Sequence, residues 1–407
     1  MRVLIVTQYF WPENFRINDL VAALKGRGHE VVVLTGKPNY PAGRFFPGYG
    51  LIGHGADDFG GIPVIRVPLV PRGSGSGFRL GINYLSFALF ASLIAPFRCR
   101  GNFDLIFVYG VSPITVALPA LVLKLLRGSP VMLWVLDLWP ESLSAAGAVK
   151  SPLVIRAVSW LVKLIYRFSN RILVQSRAFE PSVERMGVAT RKIVYFPNWA
   201  EPMFDGVQDA EPSLPVPLPE GFRVMYAGNV GAAQDFPNIL AAAEHLRSYS
   251  DIQWIILGDG RLRDWVGQEV EKRGLGRTVH LLGNHPLAAM PACFMQADVM
   301  LVCLKRDPIF ALTIPGKLQS YLACGRPVVG MLDGEGARII RESGAGLVCD
   351  AEEPAALAER VLELYAMPKV GREQMGMRGR LYYEAHFARD QLLDRLEQLM
   401  STPDETR

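Results

Sequence analysis

No two of the five cysteines in this 407-residue chain stand at CxxC spacing, and none of its six histidines belongs to an HxxxH or HExxH pattern. Cys99, Cys293, Cys303, Cys324 and Cys349 fall mostly in apolar runs. They read as buried thiols in a reducing cytosol, with neither disulfides nor a metal site implied. No Ser–His–Asp constellation is readable, and no GxGxxG follows a strand-like run, which disfavours a nicotinamide dehydrogenase. No basic stripe or nucleic-acid-binding module is present, so nucleic acid is not an expected partner. Short repeats and low-complexity tracts are absent as well. The opening MRVLIVTQYF is too short an apolar run for a secretory signal and reads as a first strand, so a cytoplasmic protein is expected.

What is there is enough for two cores of roughly 200 residues each. Half the residues are apolar and a fifth are charged, the balance of a globular protein. The net charge of +4 conceals a split. Residues 1–200 hold 22 Lys+Arg against 10 Asp+Glu, whereas residues 201–407 hold 21 against 29. A first half at +12 is expected to meet something anionic, either a membrane surface or a phosphate-rich ligand. One stretch, LGINYLSFALFASLIAPF at 80–97, runs 18 residues without a charge between Arg79 and the pair Arg98 and Arg100. Asn83, Ser86, Ser92 and Pro96 interrupt it. It reads as a helix lying partly buried and partly against a membrane rather than crossing one; a wholly buried core helix is the alternative.

Short Val/Ile/Leu runs alternate with helix-length segments through the first half. Strands are predicted at 3–7, 30–34, 64–70, 105–109, 131–136, 171–174 and 192–196, with helices at 18–27, 115–127 and 153–168. Strands that are apolar throughout, not alternating, predict a parallel sheet covered on both faces. A stretch at 201–222, with five prolines, five acids and no basic residue, reads as a linker. The α/β pattern then restarts at 223. Two doubly wound, Rossmann-like domains are predicted, at 1–200 and 223–379. A single amphipathic helix over about 380–400 is placed so that it can pack back on the first.

In such sheets ligands bind where strand ends lead into helix N-termini. Three loops of the second half qualify. Gly228-Asn229-Val230-Gly231 and Gly258-Asp259-Gly260 each read as an ordinary turn or as backbone that lets an anion approach. The third is ALTIPGKLQSYLACGRPVV. Pro315 and Gly316 set the loop, and Lys317 stands in the first turn of a helix, where a cation is unfavourable unless an anion sits there too. With Lys305 and Arg306 upstream it could neutralise a diphosphate, or it is a solvated lysine on a turn. In the first half, Asn14 and Arg16 follow the first strand, Asn39 and Tyr40 lie in a proline-rich turn, and Asp137, Trp139 and Glu141 follow the strand at 131–136. Carboxylates at a strand end can accept two hydrogen bonds from a ligand at fixed geometry, whereas burial is the commoner fate of a tryptophan.

The stretches YAGNVG, ILGDGRLR, VHLLGN, ADVMLVCL, PGKLQSYLACGRPVV and ESGAGLVCD resemble the donor domain of family-four retaining glycosyltransferases. In the first half, VTQYFWPENFRINDLVAALKGRGHEVVVLTGKPNYP, WVLDLWPESL and VYFPNW resemble the branch that builds bacterial capsule, colanic-acid-like and O-antigen polysaccharides. The resemblance implies a GT-B fold, two Rossmann-like domains facing across a cleft. It implies transfer of a sugar from a nucleotide diphosphate, UDP expected over GDP, to a glycan or polyprenyl-diphosphate-linked acceptor at the inner membrane, with no cofactor and no catalytic metal. Lys317, Arg306 and Asp137 would be catalytic. Gly228, Asn229, Gly231, Gly258, Asp259, Gly260, Lys305, Pro315, Gly316 and Ser320 would hold the donor, and Asn14, Arg16, Asn39, Tyr40, Trp139 and Glu141 the acceptor.

The family pattern places two glutamates eight apart around the lysine loop, the second on the ribose. Here those positions are Leu312 and Ser320, and Ala232 to Asp235 replace the usual basic residues of the first loop. A nucleotide-sugar 2-epimerase of the same fold, or a non-catalytic nucleotide-sugar-binding subunit, are the alternative readings.

Overall fold

A computed structural model describes residues 1–53, 55–73, 76–145, 151–204 and 216–402. Half of the proline-rich stretch, 205–215, lies outside the described residues. The chain divides into two compact units, Met1–Pro197 with Leu393–Arg407, and Asn198–Leu392.

Unit 1 is built on β1 (Arg2–Val6), β2 (Glu30–Gly36), β3 (Ala56–Asp58), β4 (Pro63–Val67), β5 (Leu105–Gly110), β6 (Val131–Val135), β7 (Arg171–Val174) and β8 (Ile193–Tyr195). Their order is β3-β4-β2-β1-β5-β6-β7-β8, parallel except for β3 against β4. The helices are α1 (Arg16–Gly26), α2 (Gly77–Arg98), α3 (Leu118–Arg127), α4 (Glu141–Ala145), α5 (Pro152–Phe168) and α6 (Glu180–Arg185). Val3 to Val6 are completely buried, as a strand covered on both faces requires. The predicted strands recur within a few residues, but β3 was not among them. Its sequence, Ala-Asp-Asp, has no strand propensity. It is held instead by Asp57, whose carboxylate accepts from Tyr49 Oη (2.8 Å) and from the buried Arg66 guanidinium.

The uncharged stretch forms most of α2, and it is not wholly buried. Asn83, Phe87, Ala88, Ala91 and Ala95 face the core while Phe78, Leu85, Leu89, Leu93 and Phe97 are exposed. Asn83 ties the helix down: it accepts from Gln8 Nε2 (2.7 Å) and donates to Val70 O (2.6 Å).

Unit 2 holds β9 (Phe222–Ala227), β10 (Ile252–Leu257), β11 (Val279–Gly283), β12 (Val299–Cys303), β13 (Val328–Met331) and β14 (Gly346–Cys349), all parallel in the order β11-β10-β9-β12-β13-β14. Its helices are α7 (Phe236–His245), α8 (Arg263–Lys272), α9 (Met290–Met295), α10 (Pro308–Leu312), α11 (Gly316–Ala323), α12 (Gly334–Ser343), α13 (Pro354–Ala366) and α14 (Lys369–His386). The start of the presumed linker belongs here: Phe204 is buried and stacks on Phe294 with ring centres 5.3 Å apart.

The predicted single helix over 380–400 is two, α14 and α15 (Arg389–Ser401). The break falls at Phe387, which is buried, just before the chain leaves unit 2 for unit 1. In unit 1, the Arg27 guanidinium donates to Asp394 (2.5 Å) and Glu397 (2.6 Å), and His29 Nε2 meets Glu397 at 2.7 Å. His29, in the turn before β2, is therefore structural.

Candidate functional site

Strand order reverses at β9 in unit 2: the chain runs outward through β10 and β11 on one side, then returns to β12 on the other. A ligand crevice is expected at the carboxyl end of that switch point. The loops gather there. Gly228 N–H donates to Leu257 O (2.9 Å), Val230 N–H to Asp259 O (2.8 Å) and Gly258 N–H to Gly283 O (2.7 Å). Gly228 and Gly258 have φ of +132° and +138°, and a Cβ on Gly258 would lie 1.9 Å from Gly228 O. Both the backbone angle and the space therefore demand glycine there. Gly231 is buried, Asn229 is exposed with its amide 3.3 Å from Gln234 Oε1, and Gly260 N–H caps onto Asp259 Oδ1 (2.7 Å).

Lys317, second residue of α11, is the centre of this arrangement. Pro315 precedes the helix with no side-chain cap, leaving the first-turn amides around Gly316 to other partners. Lys317 Nζ is buried and, among the described residues, without a hydrogen-bond partner, 3.6 Å from the centre of the Tyr226 ring. A Cβ on Gly228 would come within 3.2 Å of it. Burial pushes the amine down to about 7. A desolvated ammonium over a tyrosine face gains about 2 kcal/mol, less than burying an unpaired cation costs. An anion supplied from outside would close that gap.

Two tyrosines that sequence reasoning overlooked shape the pocket. Tyr226 Oη donates to Asn229 O (2.5 Å); Tyr321 Oη accepts from Ala227 N (2.9 Å) and donates to Ala227 O (3.1 Å). Tyr321 lies four residues after Lys317 on the same helical face, and that spacing was a readable signal.

The three cations do not stay together. Lys305 N–H donates to Ala233 O (2.9 Å), so Lys305 remains beside the β9 loop. Arg306 turns toward β13 and β14, donating to Ala351 O (2.6 Å) with Asp333 3.6 Å away. Asp333 and the carbonyl after β14 hold its guanidinium there.

Ser320, buried on α11, donates to Glu201 Oε2 at 3.0 Å. The carboxylate missing from the helix is thus brought beside it by the segment preceding β9. Nothing in the sequence pattern pairs residues 119 apart.

In unit 1 the reversal lies between β1 and β5. Asp137, after β6, accepts from Ser142 Oγ, and burial pushes its carboxyl up. Trp139 lies close enough to Asp137 for its indole to hold the carboxyl down; among the described residues Glu141 Oε2 and the hydroxyl of Tyr166 on α5 are buried without a hydrogen-bond partner. Tyr166 feels the charge of both carboxylates. Asn14 is exposed, and Arg16 opens α1 half-buried.

The proline-rich turn differs from expectation in one respect. Asn39 is completely buried, donating to Lys37 O (3.0 Å) and accepting from Arg72 N (3.1 Å), which leaves it a structural part. Tyr40 is exposed, its ring 4.9 Å from the Arg72 guanidinium carbon and 5.2 Å from the Phe15 ring centre. Beneath them Glu13 is buried and accepts from the amides of Asn39 (2.8 Å), Tyr40 (2.7 Å) and Phe10 (3.2 Å). Burial raises Glu13 to about 7.

Residues 14–199 match the family described as glycosyl transferase 4-like domain, and residues 221–367 match glycosyl transferases group 1. A probable glycosyltransferase, WbjE of Pseudomonas aeruginosa, is 31% identical over 60% of this chain and 64% of its own length, so the chain spans less than two thirds of that relative. A putative colanic acid biosynthesis glycosyl transferase, WcaI of Escherichia coli, is 27% identical over 80% and 82%. Among solved structures, Anabaena HepE in complex with UDP-glucose superposes with a TM-score of 0.68 at 14% identity, covering 98% of this chain and 99% of that one. Its two α/β units give the chain the GT-B fold. With both matching domains in order along the chain, it belongs to the glycosyltransferases that join a 4-like domain to a group 1 domain.

Proposed function

We propose that the chain transfers a sugar, with retention, from a nucleoside diphosphate sugar to a glycan or polyprenyl-diphosphate-linked acceptor during synthesis of a cell-surface polysaccharide. The buried, unpartnered Lys317 Nζ beside Gly228 carries this reading. Its pocket asks for an anion, and the leaving diphosphate is the anion such a donor brings. In the transfer the bond from the anomeric carbon to the diphosphate oxygen breaks as the acceptor oxygen attacks on the same face. The acceptor hydroxyl's proton passes to the departing phosphate. Lys317, with Lys305 and the free amides of α11, stabilises the charge that develops there. Ser320 with Glu201 forms the hydroxyl-binding pair for the ribose, a carboxylate accepting two hydrogen bonds at fixed geometry. Asp137, Trp139 and Glu141 hold the acceptor sugar, with Tyr40 and Arg72 as a second polar-aromatic surface.

UDP is expected over GDP; HepE was solved with UDP-glucose. No cofactor and no metal are expected to take part. The protein is placed in the cytoplasm, peripheral on the inner membrane, with α2 and the flanking Arg79, Arg98 and Arg100 against anionic lipid. Calorimetric titration with UDP, GDP and their sugar conjugates, with and without EDTA, tests the donor side. One diphosphate binding equally in EDTA is the expected result. Binding that vanishes in EDTA, or wild-type turnover in Lys317→Ala, would sink it.

A further inference from the structure

α2, α3 and α5 follow β4, β5 and β6, and each leads in the same direction across the sheet of unit 1. Right-handed crossovers therefore lay all three on one face, where α3 packs against both neighbours. We infer that this whole helical layer, and not α2 alone, is a docking surface for an anionic lipid bilayer, with Trp160 of α5 seated at headgroup level. The inference rests on the membrane attachment proposed above and extends it.

α5 is two-sided. Val162, Ile165 and Tyr166 are buried, whereas Leu153, Arg156, Trp160, Lys163 and Arg167 point outward at spacings of three and four residues. Trp160 is 64% exposed. A tryptophan set among cations on the outward side of a helix whose other residues are mostly apolar is the pattern of a helix lying in the membrane interface. Beside it, α3 ends in Leu125 and Leu126, 74% and 63% exposed, and α2 adds Phe78, Leu85, Leu89, Leu93 and Phe97. Soluble monomers rarely leave so many large apolar side chains of one helical layer in water.

Charge selects the occupant. None of the three helices contains Asp or Glu. Lys124 and Arg127 are used inside the unit, Lys124 on Phe168 O (2.8 Å) and Arg127 on Pro96 O (2.7 Å) and Gly101 O (2.8 Å). Arg156, Lys163 and Arg167 are exposed, and among the described residues none of them pairs with a carboxylate. A second copy presenting the same face would bring cation against cation. A bilayer with anionic headgroups accepts the apolar row and the cations together. A span through the bilayer does not fit, because Asn83 and the Ala88–Ala91–Ala95 seam hold α2 to the rest of unit 1.

The test is sedimentation of the full chain with phosphatidylcholine vesicles, with and without phosphatidylglycerol, alongside Arg156→Glu/Trp160→Ala/Lys163→Glu. These side chains are exposed, so the variant should keep its thermal unfolding profile. Wild type should bind the anionic vesicles, with Trp160 emission shifting to the blue. The variant should lose on the order of 100-fold in partitioning. Wild-type partitioning in the variant would overturn the role of α5 while leaving attachment through α2 intact. No binding by wild type, equal binding to neutral vesicles, or a stable dimer broken by the variant would overturn the bilayer itself. UDP titration of the same samples keeps these outcomes separate from failure of the donor site.

Discussion

Lys317 Nζ sits 3.6 Å from the centre of the Tyr226 ring, buried and with no hydrogen-bond acceptor among the described residues. A stability-driven core would not place it so. Lys317→Met should lower kcat on the order of 10²–10³-fold, the usual loss of a charge-stabilising group. Its melting temperature should not fall. A variant that loses activity only because it unfolds would count against the assignment.

The same lysine predicts a pH signature. Folded, it binds its proton below about pH 7; unfolded, below about 10.5. The unfolded chain therefore holds more protons between those values, and stability rises with pH through that window. The stability advantage of Lys317→Met should be largest below pH 7 and shrink toward 10.5. Diphosphate binding should show the complement: affinity weakening by up to about tenfold per pH unit above 7, with proton uptake visible as a buffer-dependent enthalpy. Melting curves and calorimetry in paired buffers measure both.

Glu201 and Ser320 should act together on the donor. Glu201→Ala and Ser320→Ala are each expected to raise donor KM about tenfold, the worth of one charge-assisted hydrogen bond. The double variant should add little to either. Additive losses in the cycle would mean that the two do not share a ligand.

Glu13 carries structure. Glu13→Ala strips three buried amides of their acceptor and should cost about 3 kcal/mol. Its carboxyl titrates at about 7 when folded against an ordinary 4.5. The folded chain thus holds more protons between 4.5 and 7, so this group's contribution is full below 4.5 and is lost as pH rises through 7. Melting temperatures of wild type and Glu13→Gln from pH 5 to 8 should differ in slope with that sign.

Gly258→Ala should abolish diphosphate binding. The added Cβ would meet Gly228 O at 1.9 Å, at a φ of +138° that L-residues rarely adopt. Unchanged UDP affinity would show that the two loops can part without harm.

The α/β alternation, the two sheets and the glycine loops at their strand ends were legible in the residues alone, because strands buried on both faces must be apolar throughout and glycine has few substitutes at such angles. The sequence also singled out Lys317, through its place at a helix start. Only the tertiary structure decided which groups surround that lysine. Tyr226 reaches it from β9, Glu201 arrives beside Ser320 from 119 residues away, and Arg306 is drawn off by Ala351 and Asp333. Likewise β3 exists because Arg66 and Tyr49 hold Asp57, and the helix over 380–400 breaks at the buried Phe387, a few residues before the chain passes from one unit to the other. Local propensity and periodicity act over a few residues along the chain. Desolvation and charge pairing act through space, between residues that meet only once the chain has folded.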